Sequence, residues 1–106
     1  MTVNQQDGTA VLEPEIITGQ KTHLSPKYRV LVHNDDVTPA DFVVHVLREV
    51  FRKSLPDAAE IMLVAHTTGV ALVAVLPLEE AELRVEQAHS MARTQKSPLT
   101  FTYEPE

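Results

Sequence analysis

The chain has 106 residues, enough for one domain with some length spare, and 43% of them are hydrophobic but only 5% aromatic, so aliphatic side chains must fill most of a core. Nine Lys and Arg stand against 15 Asp and Glu, a formal charge of −6 that disfavours nucleic acid and anionic membrane surfaces and suits partners carrying positive charge. The absence of Cys excludes a disulfide framework, a thiol nucleophile and a cysteine-type zinc site; with no secretory apolar region and no run near the ~20 residues of a membrane span, a soluble cytoplasmic protein is expected.

Residues 1–26 mix Gln, Thr, Gly, Asp and Pro with scattered apolar pairs that keep no helical or strand period, and they are expected to form a flexible N-terminal extension to a core domain of residues 27–106. Tyr28 to His33 reads as a strand, with Val30 and Val32 on one face and Leu31 on the other. Asn34-Asp35-Asp36 then favours a turn and supplies acceptors. A helix follows, with Thr38 as its N-cap, Pro39 at the first helical position and Asp41 early, where the dipole favours negative charge. Val43, Val46, Leu47 and Val50 form its apolar stripe, extended by Phe51.

Ser54-Leu55-Pro56-Asp57 interrupts this pattern and starts a second stripe, Ala58, Ile61, Met62 and Ala65, with Gly69 placed for a left-handed helix cap. Val70 to Leu76 is an unbroken apolar run, read as the central strand of a sheet. Pro77 ends it, and a third helix spans about Leu78 to Arg93, with Ala81, Val85, Ala88 and Ala92 inward and Glu80 four residues before Arg84. Lys96-Ser97-Pro98 makes a turn, and Leu99 to Tyr103 alternates as a last strand. The order strand, helix, helix, strand, helix, strand implies an α+β sandwich, helices on one face of a three-stranded sheet, with strand directions left open by the order itself.

The residues that bear chemistry are few. Asn34 and Asp36 leave the first strand, and His66 shares a helix face with Met62 four residues earlier. An amide oxygen, a carboxylate and a neutral imidazole nitrogen suit a primary ammonium, each charge-assisted bond contributing roughly 1.5–3 kcal/mol. Spacing alone does not bring these groups together, and on the residues by themselves an Asx turn plus a histidine at a helix end is the reading to prefer. His33, Asp35, Asp36 and His66 are the alternative set for a small metal-dependent hydrolase, but no His-x-x-x-His or Glu-x-x-His ligand spacing is read among them. Asp35 and Asp36 as a catalytic carboxylate pair are also explained by an exposed turn. Three scattered glycines make no phosphate loop, and Ser25, Ser54, Ser90 and Ser97 lack a nucleophile elbow, so no catalytic residue is assigned. His23, His45 and His89 are placed on solvated surfaces.

From Lys27 onward the chain resembles the ClpS adaptors of the bacterial N-degron pathway. The resemblance is carried by Tyr28-Arg-Val-Leu-Val-His-Asn-Asp-Asp-Val-Thr-Pro39, Ala59-Glu-Ile-Met-Leu-Val-Ala-His-Thr-Thr-Gly69 and Ser97-Pro-Leu-Thr100. It implies a three-stranded antiparallel sheet with three helices on one face, and a monomeric adaptor without catalysis, cofactor or metal. Such an adaptor would bind substrate proteins by a free α-amino group and a bulky first residue (Leu, Phe, Tyr or Trp) and deliver them to a Clp AAA+ unfoldase and its peptidase. By position, Asn34, Asp36 and His66 would bind the amino group, with Asp35 in the same acidic turn. Val32, Thr38, Ala40, Val43, Met62, Ala65 and Leu99 would line the side-chain pocket. Glu79 and Arg84 would contact the unfoldase N-terminal domain, and residues 1–26 would serve in handing substrate over. Where the family commonly has Met, this chain has Ala40, which implies a roomier pocket and relaxed rejection of Ile or Val. The alternative is an interaction module resembling the C-terminal domain of the ribosomal stalk protein, in which the Asn34 corner is a plain turn.

Overall fold

The computed structural model describes residues 26–106; the extension expected over residues 1–26 lies, but for Pro26, outside them. The elements are β1 (Lys27–His33), α1 (Ala40–Glu49), α2 (Leu55–Thr68), β2 (Val70–Pro77), α3 (Leu78–Thr94) and β3 (Thr100–Pro105). The sheet order is β2-β1-β3, and both pairings are antiparallel.

This order corrects one expectation. The apolar run from Val70 to Leu76 is an edge strand, and the centre belongs to β1. Ala71 and Val73 of β2 are buried, while Val70, Leu72 and Val75 are exposed. An unbroken apolar run signals burial on both faces only where both faces are covered. Here alternation survives beneath the apolar composition, and one residue interrupts it: the β1–β2 register shifts between Val30 and Leu31, leaving Val73 as an extra residue.

The helices cover the face that carries Val30, Val32, Ala71 and Phe101. Phe101, Leu47, Val30, Val32 and Val46 are the largest fully buried side chains. The inner face of α3 is built from Ala81, Val85, Ala88 and Ala92, all buried, so small residues set its approach to the sheet. Phe51 lies beyond the end of α1 and stacks on Phe101 with ring centroids 5.3 Å apart. His89, placed on the surface by sequence, is half-buried instead. Its Nε2 accepts the Phe101 N–H at 3.0 Å, so α3 reaches over and satisfies a backbone donor of β3.

Two helix ends explain the local geometry. Ser54 caps α2, its hydroxyl accepting the Asp57 N–H at 3.2 Å, with Pro56 in the first turn. At the other end Gly69 adopts φ +96 and donates its N–H to Ala65 at 2.8 Å, turning the chain directly into β2. A Cβ at Gly69 would meet nothing within 4 Å, so the constraint there is conformational. The left-handed region costs an L-residue roughly 1–2 kcal/mol. Gly69→Ala is therefore expected to lower stability by about that amount, a drop of several degrees in Tm for a domain of this size. A melting curve superimposable on the parent's overturns this account of the cap.

Candidate functional site

The site begins where β1 stops. His33 pairs with Val70, and the next residue, Asn34, donates its N–H to the Gly69 carbonyl at 2.9 Å. That bond ties the acidic corner to the C-terminal end of α2, three residues beyond His66. The corner is then shaped by Asp35. Its Oδ1 accepts the N–H groups of Val37 and Thr38 at 2.8 and 2.7 Å, and its Oδ2 accepts the Thr38 hydroxyl at 2.9 Å. Partial burial alone would raise the Asp35 pKa, but the bonds from Thr38 N–H, Val37 N–H and the Thr38 hydroxyl outweigh it and hold the carboxyl below its ordinary value.

These bonds also change the expected helix start. Thr38 is not the N-cap of α1: it lies one residue before the cap position, in the turn closed by Asp35, and no side chain caps the helix. Pro39 takes the cap position, its carbonyl accepting the N–H groups of Phe42 and Val43 at 3.1 and 3.3 Å. The first helical residue is Ala40.

Between this corner, α1, α2 and the residues leading into β3 lies a hollow of about 240 Å³. It is lined by Val32, Asn34, Asp35, Asp36, Thr38, Ala40, Val43, Met62, Ala65, His66 and Leu99, and also by His33. Its buried lining is apolar: Val32, Ala65 and Leu99 are each under 5% exposed. Val43 and Met62 are partly covered, whereas Asn34, Asp36, His66 and Ala40 are exposed. Apolar lining and lone-pair donors thus share one opening. Engineered apolar cavities of roughly 150 Å³ admit benzene, so the space suffices for a leucine or phenylalanine side chain.

The sequence-predicted groups outside the hollow behave differently. Arg84 donates from Nη1 to the Val50 carbonyl at 2.6 Å, closing the C-terminal end of α1, and pairs with Glu80 at 3.2 Å. Its guanidinium is therefore partly committed within the chain, while Glu79 is exposed at the start of α3. His33 is shared with β3, its Nε2 2.8 Å from Thr102 Oγ1. One Glu-x-x-His spacing does occur, Glu86 to His89 on α3. Both are engaged elsewhere, Glu86 accepting from Arg93 at 2.9 Å and His89 from Phe101. Among the described residues no three His, Asp or Glu side chains gather as a metal site.

Sequence reading overlooked Ser97 as part of this region. Its Oγ lies 2.6 Å from Thr38 Oγ1 and accepts the Leu99 N–H at 3.1 Å, a bridge across 59 residues of sequence. A Ser before Pro in a turn carries no local sign of so distant a partner.

The family model described as "ATP-dependent Clp protease adaptor protein ClpS" matches residues 23–102. The ATP-dependent Clp protease adapter protein ClpS of Desulfatibacillum aliphaticivorans is 44% identical over 99 residues, covering 93% of this chain and 91% of that one. The protein of the same description from Maricaulis maris is 45% identical over 112 residues and covers both chains completely. The structure of Agrobacterium tumefaciens ClpS2 bound to L-phenylalaninamide superposes with a TM-score of 0.75 at 39% identity, over 77% of this chain and 99% of that one.

A carboxylate stabilised in the fold contributes fully above its ordinary pKa of 3.8, and the contribution is lost as the pH falls through the lower folded value. Asp35→Asn is expected to lower Tm at neutral pH and to flatten the fall of Tm on acidification below about pH 4. If the acid limb of the Tm profile keeps the parent's slope, Asp35 is not the anchor of this turn.

Proposed function

The chain belongs to the ClpS family of Clp protease adaptors, and from that premise we propose that its hollow grips the first residue of another polypeptide. The observation that carries the reading is the shared opening: an apolar cavity whose mouth bears an amide, a carboxylate and an imidazole. A polypeptide N-terminus has matching halves, an ammonium with three N–H donors and, for Leu, Phe, Tyr or Trp, a large apolar side chain. L-Phenylalaninamide, held by the Agrobacterium ClpS2, has this pair of features in one small molecule.

In this reading the Asn34 amide oxygen, the Asp36 carboxylate and a neutral nitrogen of His66 accept from the α-ammonium. Asp35 adds negative potential while its oxygens hold the turn. Val32, Val43, Met62, Ala65 and Leu99, with Thr38 and Ala40, receive the side chain, whose burial contributes roughly 1.5–3 kcal/mol. After the ordering cost of association, affinities of order micromolar follow. The captured protein is then delivered to a Clp AAA+ unfoldase in the cytoplasm. Glu79 and the exposed part of Arg84 contact its N-terminal domain, and residues 1–26 serve the handover.

Acetylating the ligand removes the charge and two donors. A Leu-initial peptide and its acetylated twin are expected to differ at least 100-fold in Kd by titration, the equivalent of about 2.7 kcal/mol. Asn34→Ala and His66→Ala, both at exposed positions, should each weaken binding at least tenfold with Tm unchanged. Equal affinity for the twins defeats the reading.

Ala40 sets a second expectation. Its methyl is exposed at the mouth, so little bulk there opposes a β-branched first residue. Ile-initial peptides should bind less than 100-fold more weakly than Leu-initial ones, and Ala40→Met should widen that gap. A gap beyond 100-fold in the parent protein removes Ala40 as a relaxed gate.

A further inference from the structure

Ser97 does not line the hollow, yet it lies between two residues that do. Its backbone is fixed by the end of α3, where Lys96 takes a left-handed φ of +54 and Ser97 N–H bonds to the Ala92 carbonyl at 2.8 Å. Its side chain is half-buried and faces the Thr38 hydroxyl.

The protons in this cluster can be assigned by elimination. A carboxylate only accepts, so the single hydroxyl proton of Thr38 goes to Asp35 Oδ2. The proton in the 2.6 Å contact between the two hydroxyls therefore belongs to Ser97. Ser97 Oγ in turn accepts the Leu99 N–H. A directed relay results: Leu99 N–H to Ser97, Ser97 to Thr38, Thr38 to Asp35. Each donor is polarised by the next, and the series ends on an anion. It ties the lining contributed by Thr38 to that contributed by Leu99.

We propose that Ser97 is a positioning residue of the first-residue pocket: by holding the Thr38 turn to the Leu99 segment it sets the cavity width, and so the preference among side chains. The inference rests on the hollow being the first-residue pocket. It differs from a merely stabilising role, which would lower Tm and weaken all peptides in proportion.

The test measures Kd for Leu-, Phe- and Trp-initial peptides, with acetylated controls, in the parent protein, Ser97→Ala and Ser97→Thr, beside Tm for each. Releasing the tie lets the two sides part, so Ser97→Ala should shift the Phe-to-Leu affinity ratio toward the larger ring by about threefold or more, the scale of one hydrogen bond. Ser97→Thr, which keeps the hydroxyl, should restore the parent ratio. Ser97→Cys, similar in size but a weak donor, is read in the same way should the alanine variant not fold. A smaller shift, a shift toward Leu, or a threonine variant that behaves like alanine overturns the positioning role while leaving the pocket intact. Failure of the parent protein to prefer free over acetylated peptides overturns both readings.

Discussion

The geometry of the site depends on one backbone bond, from the Asn34 N–H to the Gly69 carbonyl. It occurs where a strand has just ended and a helix has just closed, and it exists because Gly69 accepts a positive φ that other residues resist. A more gradual exit from α2 would carry β2 past His33 in another register. His66 and Asn34 would then lie at different heights along the molecule. The left-handed cap, the antiparallel pairing of β2 with β1 and the adjacency of two polar side chains 32 positions apart are consequences of a single reversal.

Adjacent acidic residues divide the work at the corner. Asp35 is turned inward and satisfied by its own chain, with both oxygens occupied. Asp36 remains exposed, its carboxylate at the opening. A carboxylate satisfied by its own chain fixes the shape of a turn, while a hydrated one at the opening keeps its lone pairs available to an incoming cation. Two like charges side by side are tolerable because the inner one is neutralised by N–H and O–H dipoles.

Much of this was legible in the sequence because it is local. The Gly69 cap, the Ser54 start, the Glu80–Arg84 pair and the small inner face of α3 each follow from residue types at short spacing. The six elements appear in the expected order, with ends shifted by a residue or two. What stayed hidden is non-local. Strand order decided that the most apolar run would be an edge, something composition cannot encode. Thr38 has the chemistry of a cap, but the turn closed by Asp35 sets the helix start one residue later, at Pro39. His89 looked solvated until β3 was laid against α3, and the bond from Arg84 to the Val50 carbonyl needed the end of α1 within reach. Family resemblance, not periodicity, nominated the residues that line the hollow together.

The irregularity at Val73 bears on how this protein behaves in a crowded solution. The outer rim of β2 carries exposed Val70, Leu72 and Val75 beside backbone groups that no strand among the described residues uses, a combination that invites sheet-to-sheet sticking. Inserting one residue against the β1 ladder breaks the flat repeat and increases local twist, and Pro77 withholds a donor at the far end. A greasy border is thereby made a poorer template for a further strand than its composition alone would make it.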